Sequence, residues 1–549
     1  MANKNIFKSA SPAKSAPVAN ATNAAGGKAY QSSDKLALAQ YATTGVFADG
    51  FYTSAEKQLE VALNLANKVD PKFVAQVAVY ARQRGFMKDM PAFLLAVLAS
   101  RGEEGVAVLK KVFNRVIDNG KMLRNFVQVI RSGATGRKSL GNAPKKLVQN
   151  WISNRSDEKL FADSVGNEPS LADIIKMVHP KGSSAQRAAL YGYICGKEVV
   201  TDKKDVAFRS VEAGGKNFKV RESVLLSELP ECVQEFEKYK VEKGEKIPDV
   251  PFQMLTALEL GKTEWTQIAM NAPWHMARMN LNTFARHGVL KDQKVVDRLA
   301  ALLKDEKTIE RVKVFPYQLL MAYLATKEDG EIPKKITNAL QDALDLSVNH
   351  VPSFDGNVYV AVDTSGSMQS AVTGNRGSAT TKATCVDVAG LIASMVLRKN
   401  KEATVLPFDT SVHKVSINPN DSVMTNAVKL ALRGGGTDCS APLQEINRNK
   451  QKVDVYICVS DNESWVESGS SRYGATGVAS EWAKIRARCP NAKMININLA
   501  VEDTVQILDA KGIMNVGGFS EAIFDVIKTW VDNGCAADGW VKQIEAIDV

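Results

Sequence analysis

Paired cysteines, long apolar runs and catalytic signatures are all missing from this chain of 549 residues. Its seven cysteines, at 195, 232, 385, 439, 458, 489 and 535, are odd in number and form no CxxC pair. That argues against a disulfide framework and fits buried thiols in a reducing compartment such as the cytoplasm. The longest apolar stretches, such as Phe93–Ala99, fall far short of the roughly 20 residues that span a bilayer, so no membrane association is expected. The first residues also lack the apolar segment and cleavage site of a secretory leader. There is no Gly-x-x-x-x-Gly-Lys-Ser/Thr loop, no His-Glu-x-x-His, and no Gly-x-Ser-x-Gly in a strand–helix setting. Catalysis is therefore not expected.

Acidic residues are absent before Asp34, and arginine is absent from the first 30 residues. Residues 1–30, rich in Ala, Ser, Asn and Lys, read as a disordered basic tail. The net charge of +10 is uneven, at about +13 over residues 1–350 and about −3 over residues 351–549. The first part thus suits a polyanionic partner, although a basic surface kept only for solubility gives the same count.

Residues 31–350 have almost no strand-like alternation. Apolar residues recur there at three and four, with breaks at Gly, Pro or Asn, predicting helices that include Leu59–Val69, Lys72–Arg84, Pro91–Ser100, Gly105–Asp118, Met122–Ile130, Leu171–Val178, Ala185–Cys195, Gln293–Leu303 and Pro316–Thr326. Short consecutive helices suggest an α-solenoid of HEAT type, with a compact irregular bundle as the alternative. Residues 199–220 break the pattern as a hairpin or a long inserted loop.

The texture changes at 351. Strands predicted at 357–363, 403–408, 453–460 and 492–499 alternate with helices at 383–399, 421–432, 441–449, 480–488 and 520–532, the rhythm of a doubly wound parallel sheet. The chain is therefore expected to be multidomain: a helical part at 31–350 followed by an α/β part at 351–549.

Val358-Tyr-Val-Ala-Val-Asp-Thr-Ser-Gly-Ser-Met368 runs from a buried strand into a loop. Its Asp363, Ser365 and Ser367 offer hard oxygens at alternate positions, the donor type that suits Mg²⁺ or another divalent cation. Alone, such loops end many strands for turn reasons only. Two further stretches fall on the same sheet edge. Gly434-Gly-Gly-Thr-Asp438 brings Thr437, and Val453–Asp461 ends in Asp461. Together these residues resemble the von Willebrand factor A domain with its metal-ion-dependent adhesion site, patterned Asp-x-Ser-x-Ser, then Thr, then Asp. The resemblance to an aspartyl-phosphate enzyme is only partial, because Ser365 stands where a second carboxylate is needed for acid–base work.

Four stretches of the helical part carry a second resemblance. They are Arg131–Trp151 with its Gly-Arg-Lys segment, Ile174–Ser184 with His-x-Lys-x-Ser at His179 and Lys181, Trp274–Leu281, and Arg311–Pro316. In this order, followed by an A domain, they resemble the TROVE module of the Ro autoantigen family and its bacterial orthologues over residues 31–549.

The resemblance implies a monomeric ring of HEAT-like helices closed by the A domain. It implies Y-type noncoding RNA on the outer basic surface and single-stranded 3′ ends of misfolded or damaged small RNAs in the hole. It also implies quality control or decay with a 3′-to-5′ exoribonuclease, and no catalysis by the family itself. Candidate RNA contacts are Lys121, Arg124, Arg131, Arg137, Lys138, Lys145, Lys146, His179, Lys181, Arg278 and Arg286. An ordinary solvated face explains many of these, and His179 also suits the carbonyl end of a helix before Pro180. His275 and His287 read as structural. The acidic Phe161–Pro169 segment departs from the family, which often carries Lys and Arg there. A metal-dependent protein-binding adaptor that acts through the A domain without RNA is the competing reading; it leaves the basic helical part unexplained.

Overall fold

The computed structural model describes residues 16–213, 216–312, 316–328, 330–377, 382–466 and 474–549. By compactness it divides into two units, Pro91–Leu299 and a second made of the chain up to Met90 with Ala300–Asp548.

The unit of residues 91–299 is mostly helical, and its helices follow the apolar spacing. Leu171–Val178 lies where expected, and Gly102–Val116, Gly120–Arg131 and Ala185–Ile194 depart from their expected ends by a few residues. The Gly120–Arg131 helix buries Met122, Leu123, Phe126, Val127 and Ile130, a stripe at helical spacing. That stripe turns Lys121 and Arg131 outward. Asn119 caps this helix by accepting from Met122 N, and Ser170 and Asp173 form a reciprocal capping box on Leu171–Val178. The irregular stretch contains a hairpin of Phe208–Ala213 against Lys216–Arg221; its turn, 214–215, lies outside the described residues. Lys313–Phe315, within the quoted Arg311–Pro316 stretch, lie outside them as well.

The second unit is built on a five-stranded parallel sheet in the order Ile513–Gly517, Lys493–Asn498, Val455–Ser460, Val358–Asp363, Thr404–Phe408. Strands Val358–Asp363 and Val455–Ser460 are buried along all their residues, as sheets covered on both faces require. The chain leaves Val358–Asp363 to add Thr404–Phe408 on one side and then crosses to add Val455–Ser460 on the other. The carboxyl ends of Val358–Asp363 and Val455–Ser460 therefore flank a topological switch point, the place where open sheets of this kind form a crevice. The Ile513–Gly517 strand and a terminal helix, Gly539–Glu545, were not expected from the sequence.

Two expectations need correction. Residues 1–15 lie outside the described residues, but the rest of the expected tail is ordered. Ala21–Thr22 pairs with Lys28–Gln31, which pairs in turn with Thr504–Val505. Asn23 ties the turn, accepting from Gly27 N at 2.7 Å and donating to Ser464 O at 2.8 Å. A Cβ on Gly27 would stand 1.9 Å from that same carbonyl oxygen, so only glycine allows the approach. Ala29 and Tyr30 are buried behind this turn. The absence of acidic residues had suggested disorder, whereas a short apolar pair and a glycine turn suffice to dock the segment.

The second correction concerns the boundary at 350. The early helices Asp34–Thr44, Ala55–Lys68 and Pro71–Gln83 share a compact unit with the α/β sheet. The reason is burial, since Asp34–Thr44 is covered from Leu36 through Thr44 and needs partners on all sides. Gln40 Nε2 donates to Ala500 O at 2.9 Å, and Gln76 Nε2 donates to Glu545 O and Ile547 O at 2.6 and 2.9 Å. Tyr30→Ala should lower the unfolding free energy of this unit by about 3 kcal/mol, read as a reduced denaturant midpoint. An unchanged midpoint would mean that the segment contributes nothing to the fold.

Candidate cation site and basic helical face

Asp363 closes its strand, and Asp461 follows the neighbouring one. Parallel pairing of Val362 with Val459 puts Asp363 beside Ser460, and Ser460 Oγ donates to Asp363 Oδ2 at 2.6 Å. Asp363 Oδ1 accepts from Ser365 N at 2.9 Å, which folds the loop back on its own carboxylate, and Ser365 Oγ lies 3.3 Å from Ser367 Oγ. The glycine-rich loop is laced to this turn. Gly366 N donates to Gly435 O and Gly434 N to Thr364 O, both at 2.8 Å. A Cβ at Gly434 would stand 2.6 Å from Thr364 O, so the glycine is needed for the approach. Thr437, carried by that loop, is buried, and its carbonyl accepts from Trp465 N and Val466 N at 3.1 and 3.0 Å.

All five residues of the motif, Asp363, Ser365, Ser367, Thr437 and Asp461, are thus buried at one end of the sheet. The charge they carry is poorly compensated. Burial, opposed by the Ser460 and Ser365 hydrogen bonds, holds the Asp363 carboxyl above the usual carboxylate range. Burial first, then the charge of Asp363, push Asp461 up to about 8. Behind them Glu502 is raised well above its ordinary value by burial and by Glu463.

Among the described residues no three His, Cys, Asp or Glu side chains converge as a metal-holding group. The donor set is instead two carboxylates with hydroxyls, all hard oxygen. That chemistry, on buried carboxylates, fits a divalent cation such as Mg²⁺.

Ser460, which hydrogen-bonds Asp363, is the member of this cluster without a signal in the sequence. It stands in the quoted run before Asp461 but reads there as one more strand position.

The basic candidates separate by what their side chains touch. Arg124 is half-buried and donates from Nη1 to Asp163 O at 2.9 Å, with burial lowering its pKa. Arg137 donates to Ala99 O and, at 3.0 Å, to Leu140 O. The Arg278 guanidinium lies 6.0 Å over the Trp274 ring. These three serve the helical packing. Lys121, Arg131, Lys138, Lys146, His179, Lys181 and Arg286 are exposed, and Lys145 is partly so.

The helices Gly120–Arg131 and Asn142–Asn154, which with Leu171–Val178 carry or flank most of them, both pack on Leu171–Val178. Gln149 Nε2 donates to Val178 O at 2.5 Å across that contact. His179 caps its helix in the left-handed conformation, φ 51°, its N–H donating to Ile175 O at 2.9 Å. The acidic Phe161–Pro169 departure also has a structural cause. Asp163 accepts from Gly120 N at 2.8 Å and pairs with Arg155 at 2.8 Å, which anchors the start of the Gly120–Arg131 helix.

Comparison with known proteins follows the same division. Residues 357–531 match the family model of the Ro60 vWA domain. Over 539 residues the chain is 23% identical to the RNA-binding protein RO60 of Deinococcus radiodurans, covering 92% of this chain and 94% of that one. It is 24% identical over 452 residues to the RNA-binding protein RO60 of Caenorhabditis elegans, covering 73% of this chain and 67% of that one. The crystal structure of the Deinococcus radiodurans RO (RSR) protein superposes with a TM-score of 0.60 at 20% identity, covering 91% of this chain and 100% of that one. That likeness establishes the shared fold.

One consequence of the buried charge is testable without a cation. Free aspartate titrates near 4, about four units below the folded value for Asp461. Between those limits the folded chain holds more protons than the unfolded chain, so stability falls as pH rises and the loss is complete above about 8. In chelator, Asp461→Asn should therefore melt above the unsubstituted protein at pH 8.5, with the gap closing toward pH 5. A gap that widens as pH falls would contradict the assignment.

Proposed function

We propose, with residues 357–531 belonging to the Ro60 vWA domain family and the similarity to Ro proteins running on through the helical region, that this chain is an RNA-binding protein without catalytic activity of its own. The observation that carries this reading is the set of exposed cations, Lys121, Arg131, Lys138, Lys146 and Lys181, on and beside the helix Leu171–Val178 and the two helices, Gly120–Arg131 and Asn142–Asn154, that pack on it. The named relatives are RNA-binding proteins. Exposed Lys and Arg bind phosphates with counterion release, which makes affinity steeply salt-dependent. His179, exposed at its helix end, suits contact with an unpaired base. The ligands we assign are a Y-type noncoding RNA and the single-stranded 3′ ends of misfolded small RNAs. A 3′-to-5′ exoribonuclease supplies the cleavage, and the setting is cytoplasmic.

The Asp363 set holds Mg²⁺ in this reading. Asp363 and Asp461 supply the charge, while Ser365, Ser367 and Thr437 supply hydroxyls. The cation, when bound, neutralises the buried carboxylates and offers an electrophilic docking point. Ser460 fixes the orientation of Asp363 throughout. Asp363→Ala should abolish Mg²⁺ uptake in calorimetry while the far-ultraviolet circular dichroism is kept; unchanged affinity would remove the site.

For RNA, Lys121→Glu, Arg131→Glu, Lys138→Glu and Lys146→Glu combined should weaken retention of a single-stranded 3′ tail by more than tenfold. Each lost phosphate contact should also flatten the salt slope by about 0.7. A natively purified protein with no ribonuclease-sensitive absorbance at 260 nm, and no retardation of that tail at low salt, would favour a protein-binding adaptor acting through the A domain.

A further inference from the structure

Between the end of Asp34–Thr44 and the Ser54 cap of Ala55–Lys68, the chain passes over the cation site as a short strap that the metal-site pattern does not account for. The strap is pinned along its length. Asp49 bridges Asn375, whose N–H donates to Asp49 O at 2.7 Å. Arg376 Nη2 donates to Val46 O at 3.0 Å and pairs with Asp89 at 3.6 Å. Buried Gln58 donates to Ala48 O at 2.7 Å. Gly374, at φ 68°, lets the chain after the Asp363 loop approach Ala48, whose Cβ would be 2.9 Å from a side chain there.

Under the strap lies a cavity of about 60 Å³ whose lining includes Tyr52, Ser367, Asp461, Cys385 and Glu502. Two members of the proposed cation set therefore open into it. A water needs on the order of 10–15 Å³ of such space, so the cavity has room for solvent attached to a cation. Tyr52 is half-buried, with Phe51 edge-on at 4.8 Å and itself exposed to solvent. Its hydroxyl is set against the Ser367 side chain, in the field of Asp461, Glu463 and Asp363. A neutral phenol suits that place, since it both donates and accepts and adds no charge to a site already rich in carboxylates. Groups that hold ligands and bound water from outside are what orient a metal site.

We propose that Tyr52 is a positioning residue of the cation site: its hydroxyl holds Ser367 and a cation-bound water, so that the strap and the cation stabilise each other. The inference rests on the reading of Asp363, Ser365, Ser367, Thr437 and Asp461 as a Mg²⁺ site. It adds that the site is completed by a segment far outside the A domain, and that anything reaching the cation from this side must move the strap.

The test uses the full chain. Tyr52→Phe keeps the ring and removes only the hydroxyl. Titration calorimetry with MgCl₂ should show a three- to tenfold weaker affinity for Tyr52→Phe. Hydrogen exchange of the 46–53 amides should slow on adding Mg²⁺ in the unsubstituted protein and not in Asp363→Ala. Equal Mg²⁺ affinity of Tyr52→Phe and the unsubstituted protein, or strap exchange indifferent to Mg²⁺, overturns the role of Tyr52 while leaving the cation site standing. Failure of the unsubstituted protein to bind Mg²⁺ overturns the site reading and this proposal together.

Discussion

Buried negative charge at the switch point of the parallel sheet is the constraint on which this half of the molecule depends. Asp363 closes one strand and Asp461 follows its neighbour one residue further on, and both are withdrawn from water, with Glu463 and Glu502 behind them. Carboxylates taken out of water are costly unless hydrogen-bonded, protonated or paired with a cation. Ser460 and Ser365 N supply the hydrogen bonds to Asp363, and a divalent ion is the counter-charge that the donor set fits. The same economy of charge explains the loops. The turn after Asp363 folds back on its own carboxylate, and Gly434 lies against it with its backbone closer to Thr364 O than a side chain would allow.

Segments remote in sequence converge on this end of the sheet. Glu463 accepts from Ala25 N at 2.7 Å, and Ser464 O accepts from Asn23, so the early strand pair closes over the loop that follows Asp461. The 45–53 strap passes on another side of the site. A domain whose polar end is covered by the first part of its own chain is not separable at residue 350. The helical unit of residues 91–299 solves a different problem. Its apolar stripes fix which residues face outward, and Arg124, Arg137 and Arg278 are spent on packing, leaving the lysines, Arg131 and Arg286 toward solvent.

Much of this was legible in the sequence, for local reasons. A helix announces itself by the spacing of Leu171, Ile174, Ile175 and Val178, and the Asp363–Ser367 motif follows directly from a buried strand; both need only neighbouring residues. The unread parts depend on partners far along the chain. Nothing near Asn23 or Gly27 shows that Ser464 will meet them. An arginine in a basic run looks the same whether it faces solvent or a carbonyl, as Arg131 and Arg137 illustrate. Ser460 was hidden because a serine ending an apolar run looks like strand, and only the Val362–Val459 register sets it beside Asp363. Tyr52 carries no sequence signal toward the site at all.

RNA held on the outward cations of the helical unit, with a cation at the sheet end, is a division that one measurement tests directly. Ultraviolet crosslinking of the full chain to a short single-stranded RNA with a free 3′ end, followed by mass spectrometry of the crosslinked peptides, reports where RNA lies. Crosslinks concentrated in peptides between Lys121 and Lys181 are the expected result. Crosslinks confined to residues 351–549, or their complete absence at low salt, would contradict it.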